Sequence, residues 1–183
     1  TSLSGPALPS RFVTEMPYFF RTEVDAQRRN VRQGQQPLDP GRPRHADPHR
    51  RINAARAIDS GADGWRQDFL RPAPGRFSGR FGSQRIYKGE PAAYHSGLDI
   101  AGGEGTTYVA PADGVVILAA DSPFSLEGHL LMLDHGMGLN SAFLHSSALV
   151  VKEGDAVRQG QPIGRIGHTG RATGPHLHWS IKW

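Results

Sequence analysis

The chain has no cysteine among its 183 residues, which excludes a disulfide framework and any thiolate metal site. It has no apolar run approaching the roughly 18 residues that span a bilayer as a helix. It does not open with a charged start and an apolar core of the kind that directs export. Any export signal is therefore expected to have been removed or to lie upstream. Aromatics are sparse at 8 %, and none interleave with the basic residues as they do where nucleotide bases stack. Nucleic acid is not an expected partner, nor is stable insertion into a membrane.

What is abundant is punctuation. Gly 23 and Pro 14 occur without the period of a fibre or the monotony of low complexity. The formal charge is +4 and the pI near 9.8, which favours an anionic partner: nucleic acid, a lipid surface or an acidic cell-wall polymer. Much of the excess lies early, in Arg28-Arg29, Arg32, Arg42, Arg44 and Arg50-Arg51, and reads as a solvated basic extension.

Residues 1–70 differ in texture from the rest. Arg11–Val24 is rich in strand formers, but Pro17 limits it to an edge or broken strand. Residues 33–48 are nearly devoid of apolar side chains and read as a linker. Asp47-Pro48 has the form of an N-cap followed by proline at the first helical position. Ile52, Ala55 and Ile58 follow at near-helical spacing until Ser60-Gly61, which predicts one short helix over about 48–59. The division expected is an extension over 1–70, not needed for chemistry, and a catalytic domain over 71–183.

From Phe69 onward the pattern becomes β. Strands are predicted at 107–110 and 115–120, and 129–134 and 139–144 flank Gly136-Met137-Gly138 as a hairpin. Further strands are expected at 162–166 and 177–182. Short strands with turns every eight to twelve residues predict a mainly β fold, an antiparallel sandwich or partly open barrel.

Five residues in this half concentrate the reactive chemistry: His95 and Asp99 in His-Ser-Gly-Leu-Asp, His145 in Phe-Leu-His, and His176 and His178 in Gly-Pro-His-Leu-His. Imidazole and carboxylate bind zinc, and a catalytic zinc keeps three protein ligands and an open position for water. Residues two apart on a strand share a face, as do residues four apart. His176 with His178, and His95 with Asp99, therefore project in pairs if both segments are extended. Each signal alone is weak, since a lone His-x-His is more often one surface and one core histidine. His135, His129, His45 and His49 sit in polar, turn-like contexts and read as structural or surface residues.

The ordered set of motifs is specific. Tyr94–Ile100, Ala110-Pro-Ala-Asp-Gly-Val-Val116, Leu133-Asp-His-Gly136, Leu144-His-Ser146, Val157-Arg-Gln-Gly-Gln161 with Ile163-Gly164, and Thr169–His178 together resemble the lysostaphin/LytM-type zinc metallopeptidases. These enzymes cut peptide cross-links of peptidoglycan. The resemblance runs from about Arg71 to the C-terminus and is nearest to Gram-negative periplasmic members, in which a β-rich domain precedes the catalytic one. Residues 11–24 fit the tail of such a domain.

The resemblance implies a groove with one zinc on its floor, held by His95, Asp99 and His178. His145 and His176 then handle protons and stabilise the transition state. It also implies peptidoglycan stem peptides as substrate and a periplasmic or secreted location. His168 and Ser146-Ser147 depart from the usual family residues, but at no ligand position. Some relatives have lost ligands and only activate other wall hydrolases. A non-catalytic, wall-binding role is thus the alternative, and the complete set of five residues weighs against it. D-alanyl–diaminopimelate cross-links are the expected bond, with glycine bridges as the runner-up.

Overall fold

The structure, a computed structural model, describes residues 46–183 apart from 85, 88, 89, 92 and 121. The strand expected over 11–24, His45 and the linker up to residue 45 lie outside the described residues. Among the described residues, one helix, α1 (Ala46–Arg56), and a 3-10 turn (Gly64–Arg66) precede twelve strands. These are β1 (Phe77–Gly79), β2 (Ile86–Tyr87), β3 (Glu90–Pro91), β4 (Leu98–Ala101), β5 (Thr107–Val109), β6 (Gly114–Ala119), β7 (His129–Asp134), β8 (Asn140–Ser146), β9 (Ala148–Leu149), β10 (Ala156–Val157), β11 (Pro162–Arg165) and β12 (His176–Lys182). The fold is mainly β, as its sequence predicts. Seven strands form one sheet in the order β1-β4-β12-β8-β7-β6-β10, three form a second in the order β5-β11-β9, and β2 pairs with β3. Every recorded strand pairing is antiparallel, and no sheet closes on itself.

The two faces of the large sheet have different work, and the register shows how the residues divide. Leu177 lies opposite Ile100, Trp179 opposite Leu98 and Phe143, and Leu131 opposite Phe143. Cross-strand partners share a face, so these apolar residues form one continuous buried surface. The three-stranded sheet supplies Tyr108, which stacks on Phe143 at 5.4 Å and hydrogen-bonds Ser146 at 2.8 Å. Ile163 is fully buried as well. The opposite face carries Asp99, His176, His178, Ser180 and Lys182, whose partners include Leu144, Ala142 and Asn140.

Helix α1 packs against part of the large sheet through Ile52 and Ala55, which join a buried cluster with Leu118, Leu130, Met132 and Ala142. The helix begins one residue ahead of the expected cap and stops at Arg56, so Ile58, third in the apolar series, is left 46 % exposed. The reason lies just beyond. The buried carboxylate of Asp134 accepts hydrogen bonds from Ser60 N (2.8 Å) and Ser60 Oγ (2.6 Å) and draws the chain off the helical path. Trp65 N then donates to His135 O at 2.8 Å, and Leu70 N to Pro111 O at 2.8 Å. Gly136 (φ 92°) lets this strap lie close, because a Cβ there would meet Ala62 O at 1.7 Å. The packing runs continuously across residue 70.

Starting the chain at Asp68 uncovers the face that Ile52 and Ala55 bury and removes the Ser60 donors from Asp134. Losses of about 3–5 kcal/mol are expected, read as a lower urea midpoint than that of a chain starting at Ala46. An equal midpoint would show that the strap adds nothing.

His135 is fully buried, with Nδ1–H donating to Asp113 O (2.7 Å) and Ser141 Oγ 2.8 Å from Nε2. Burial pushes its imidazole down to about 4, against the opposing pull of the Asp113 carbonyl and the Asp134 and Asp113 charges. The unfolded chain binds a proton below about pH 6.5 and the folded one only near pH 4, so its stabilising effect is present above 6.5 and lost on acidification. A fall of about 3 kcal/mol between pH 6.5 and 4 is expected from this group. His135→Gln should flatten that part of the curve, and an unchanged slope would refute the assignment.

Candidate metal centre

The register of β4 and β12 builds the centre. His178 lies directly opposite Asp99, on the face away from the apolar core, and His95 enters from the turn ahead of β4. Asp99 Oδ1 is 2.8 Å from His178 Nδ1 and 2.9 Å from His95 Nε2, and the two imidazole nitrogens are 3.0 Å apart. These three residues form a group able to hold a metal ion.

Each ring is held from behind. His95 is buried, its backbone bonded to Ser83 O and Gly82 N, and its Nδ1 is 2.9 Å from Arg80 O. A carbonyl oxygen only accepts, so Nδ1 carries the proton and the Nε2 lone pair faces Asp99 and His178. The far edge of the His178 ring lies against Gly97, where a Cβ would stand 2.6 Å from both His178 Nε2 and Trp179 O. Gly97 therefore leaves room for the ring to present Nδ1 to the centre.

The electrostatics fit a cation. Burial alone would raise the Asp99 carboxyl, but hydrogen bonds from His178 and His95 and their charges outweigh it and hold the group well below the usual carboxylate range. Burial lowers His178 against the pull of Asp99. A carboxylate oxygen and two ring nitrogens within 3.0 Å of one another need protons or one positive ion among them. Ligand atoms about 2.0–2.1 Å from a tetrahedral ion are about 3.3 Å apart, so shifts of a few tenths of an ångström would seat one. Two nitrogens and one carboxylate oxygen form a donor set suited to zinc.

His145 and His176 lie beside this triangle. Their rings are 4.8 Å apart, and the His145 ring is 6.2 Å from that of His178. His176 Nε2 is 3.7 Å from Asp99 Oδ1. Strict alternation would put Leu144, the partner of His178, on this face and His145 on the other. His145 has a left-handed backbone (φ 66°), which accounts for its ring meeting His176. Both rings use Nδ1–H against a backbone carbonyl, His145 to Thr169 O (2.9 Å) and His176 to Gly174 O (2.8 Å), leaving Nε2 of each free of that bond. Burial, with the nearby His176 and His178, holds the His145 imidazole down at about 4, so it is neutral at physiological pH.

All five residues singled out in the sequence thus meet in one place. The remaining described histidines do not join them. His129 bonds Ala120 O, His135 is held within the fold, His49 is exposed on α1, and His168 contacts Glu104 at 3.2 Å. The supporting carbonyls of Arg80, Thr169 and Gly174 were not foreseeable, because a backbone oxygen carries no mark of residue type. Gly97 was visible inside His-Ser-Gly-Leu-Asp, but its contact with a ring 81 positions later was not.

An open antiparallel sheet with a histidine–aspartate triangle and two further imidazoles beside it has the layout of a metal-dependent hydrolase. Comparison with known proteins defines the family. The profile described as Peptidase family M23 matches residues 93–183. The catalytic domain of lysostaphin from Staphylococcus simulans is 30 % identical with a TM-score of 0.52, the match covering 58 % of this chain and 79 % of that one. A zinc containing peptidase from Vibrio cholerae is 30 % identical with a TM-score of 0.57, covering 64 % of this chain and 37 % of that one. Peptidoglycan DD-endopeptidase ShyA, also from V. cholerae, is 37 % identical over 107 residues, 58 % of this chain. The match spans 24 % of ShyA's length. The chain belongs to peptidase family M23.

The close approach at Gly97 is testable. Gly97→Ala should displace the His178 ring and lower zinc affinity by about 10–100-fold, the usual cost of losing a supporting contact. Gly103→Ala, whose Cβ would meet only Thr106 Oγ1 at 3.7 Å, should leave affinity unchanged. Competition with a chromogenic chelator reads both. Equal affinity in the two variants would remove Gly97 from the account.

Proposed function

We propose that this chain is a zinc-dependent endopeptidase that hydrolyses peptide cross-links of bacterial peptidoglycan in the cell envelope. One zinc per chain is held by His95, Asp99 and His178, and His145 and His176 handle protons. The observation that carries this reading is the convergence of three ligand atoms within 3.0 Å of one another, with two carbonyl-anchored imidazoles alongside. The naming of ShyA as a DD-endopeptidase favours the D-alanyl–diaminopimelate bond over glycine bridges.

Zinc at this centre supplies Lewis acidity toward the peptide carbonyl and brings the pKa of a water toward about 7. The protein's own residues supply the rest. A neutral imidazole with its Nδ1–H committed to a carbonyl has only Nε2 with which to accept the proton of the attacking water. The same Nε2, once protonated, can pass that proton to the leaving amine. The second histidine, His176, lies beside Asp99. With Nδ1–H already given to Gly174 O, it would donate to the charge developing on the carbonyl oxygen only through an Nε2 that also carries a proton. Anchoring by Thr169 O and Gly174 O fixes both rings before substrate arrives, so little reorganisation is left for the reaction step.

Incubation with purified peptidoglycan should release muropeptides cut at the cross-link, and a chelator should abolish this. Mass analysis of the fragments identifies the bond. Asp99→Ala should lose zinc by elemental analysis. His145→Ala and His176→Ala should keep zinc and lose roughly 10²–10⁴-fold in turnover. Full zinc occupancy in Asp99→Ala would sink the ligand assignment. Zinc loss in step with activity in either histidine variant would make that residue a ligand.

A further inference from the structure

Three consecutive residues of one turn touch the backbone that holds His145. Phe124 and Gly128 close this turn with a reciprocal pair of hydrogen bonds at 2.9 Å. Within it, Leu126 O accepts from Arg171 N at 3.0 Å, and Glu127 O accepts from His145 N at 2.9 Å. Gly128 contributes space instead. A Cβ there would stand 2.5 Å from both the carbonyl carbon and the carbonyl oxygen of Thr169, and nearer still to its Oγ1. That carbonyl oxygen is the one that accepts the His145 Nδ1–H at 2.9 Å.

The fit is reciprocal. A Cβ on Gly170, next to Thr169, would meet Leu126 O at 2.7 Å and Gly128 Cα at 2.8 Å. Both glycines have left-handed backbones, with φ 69° at Gly128 and 71° at Gly170, a conformation that residues with side chains seldom adopt. Directly after the turn, His129 N donates to Thr169 Oγ1 at 3.0 Å, and that hydroxyl donates to Ser146 O at 2.9 Å. The backbone of the turn packs on this loop, while the side chains of Ser125 and Leu126 are exposed.

A methyl group added at Gly128 has to displace either Thr169 or the turn itself, because a close-packed contact leaves no third course. Moving Thr169 moves the carbonyl that fixes the tautomer and direction of the His145 ring. Moving the turn moves Glu127 O, which holds the His145 backbone. Both routes end at His145, and the contacts just described involve none of His95, Asp99 and His178.

We propose that Gly128 is a positioning residue for proton transfer: the space it leaves seats the Thr169 carbonyl and, through it, sets the tautomer and aim of His145. This rests on the reading of His145 as a proton-handling group of a peptidase site. Glycine is then required at position 128 for more than the geometry of its own turn.

The test compares Gly128→Ala with Gly154→Ala in the zinc-loaded full chain. Gly154 also has a positive φ, 90°, but a Cβ there meets nothing within 4 Å, so it carries the backbone strain without the contact. Gly128→Ala should lower kcat on a soluble cross-linked peptide by about 10²-fold with KM and zinc content held, while Gly154→Ala keeps kcat. In proton NMR of the imidazoles, the His145 Nδ1–H is identified by its loss in His145→Ala. It should exchange faster or vanish in Gly128→Ala and persist in Gly154→Ala. Thr169→Val removes the hydroxyl that clamps the loop and leaves both glycines in place. It should act in the same direction, which keeps the proposal testable if Gly128→Ala does not fold. Equal kcat in the two glycine variants, a loss that follows zinc content or melting temperature, or an unchanged His145 Nδ1–H signal would overturn the proposal. If the wild-type chain cleaves no cross-link while Gly128→Ala still releases the Nδ1–H, the peptidase reading fails and the positioning of the ring survives.

Discussion

The pairing of β12 with β4 is the constraint on which the site depends. It sets His178 opposite Asp99, and both faces of the large sheet follow from that register. Because side chains alternate, a slip of one residue would carry His176 and His178 into the apolar core and bring Leu177 and Trp179 out. The slip is resisted by the core itself, since Leu98, Ile100, Leu177, Trp179 and Phe143 are all buried on the side away from the metal centre. Catalytic geometry and hydrophobic packing are therefore specified by the same hydrogen-bond ladder. A polar, ligand-bearing face is tolerated because the opposite face, closed by the small sheet through Tyr108 and Ile163, supplies the burial.

Backbone carbonyls then decide what each imidazole can do. Arg80 O, Thr169 O and Gly174 O each engage an Nδ1, and a ring so engaged offers only Nε2 to the groove. His178 is the exception, with Nδ1 turned to the centre and Nε2 turned to Gly97. The loop carrying Thr169 is itself fixed, since Thr169 Oγ1 donates to Ser146 O (2.9 Å) and accepts from His129 N (3.0 Å). Chemistry that depends on ring tautomers is thus fastened to strand ends rather than left to a free loop.

How far this could be read in the sequence varies with the range of the interaction. The β7–β8 hairpin was legible because Gly136-Met137-Gly138 is a local turn signal between two apolar runs. The five site residues were legible because their motifs appear in a characteristic order, even though no single motif is specific. The left-handed backbone of His145 had no local signal, and periodicity would place that ring on the wrong face. The end of α1 was misjudged by apolar spacing, because the deciding event is capture of Ser60 by Asp134, 74 residues away.

The segment joining α1 to β1 shows why composition is a poor guide to where a packed unit begins. Residues 57–70 are polar and turn-rich, the texture of a linker, yet they bond Asp134, His135 and Pro111 along one edge of the fold. Such a strap needs few apolar side chains, because it satisfies backbone donors and acceptors that sheet and hairpin leave open. It also holds α1 over part of the large sheet. A boundary drawn from composition at residue 70 therefore divides elements that the hydrogen bonds join.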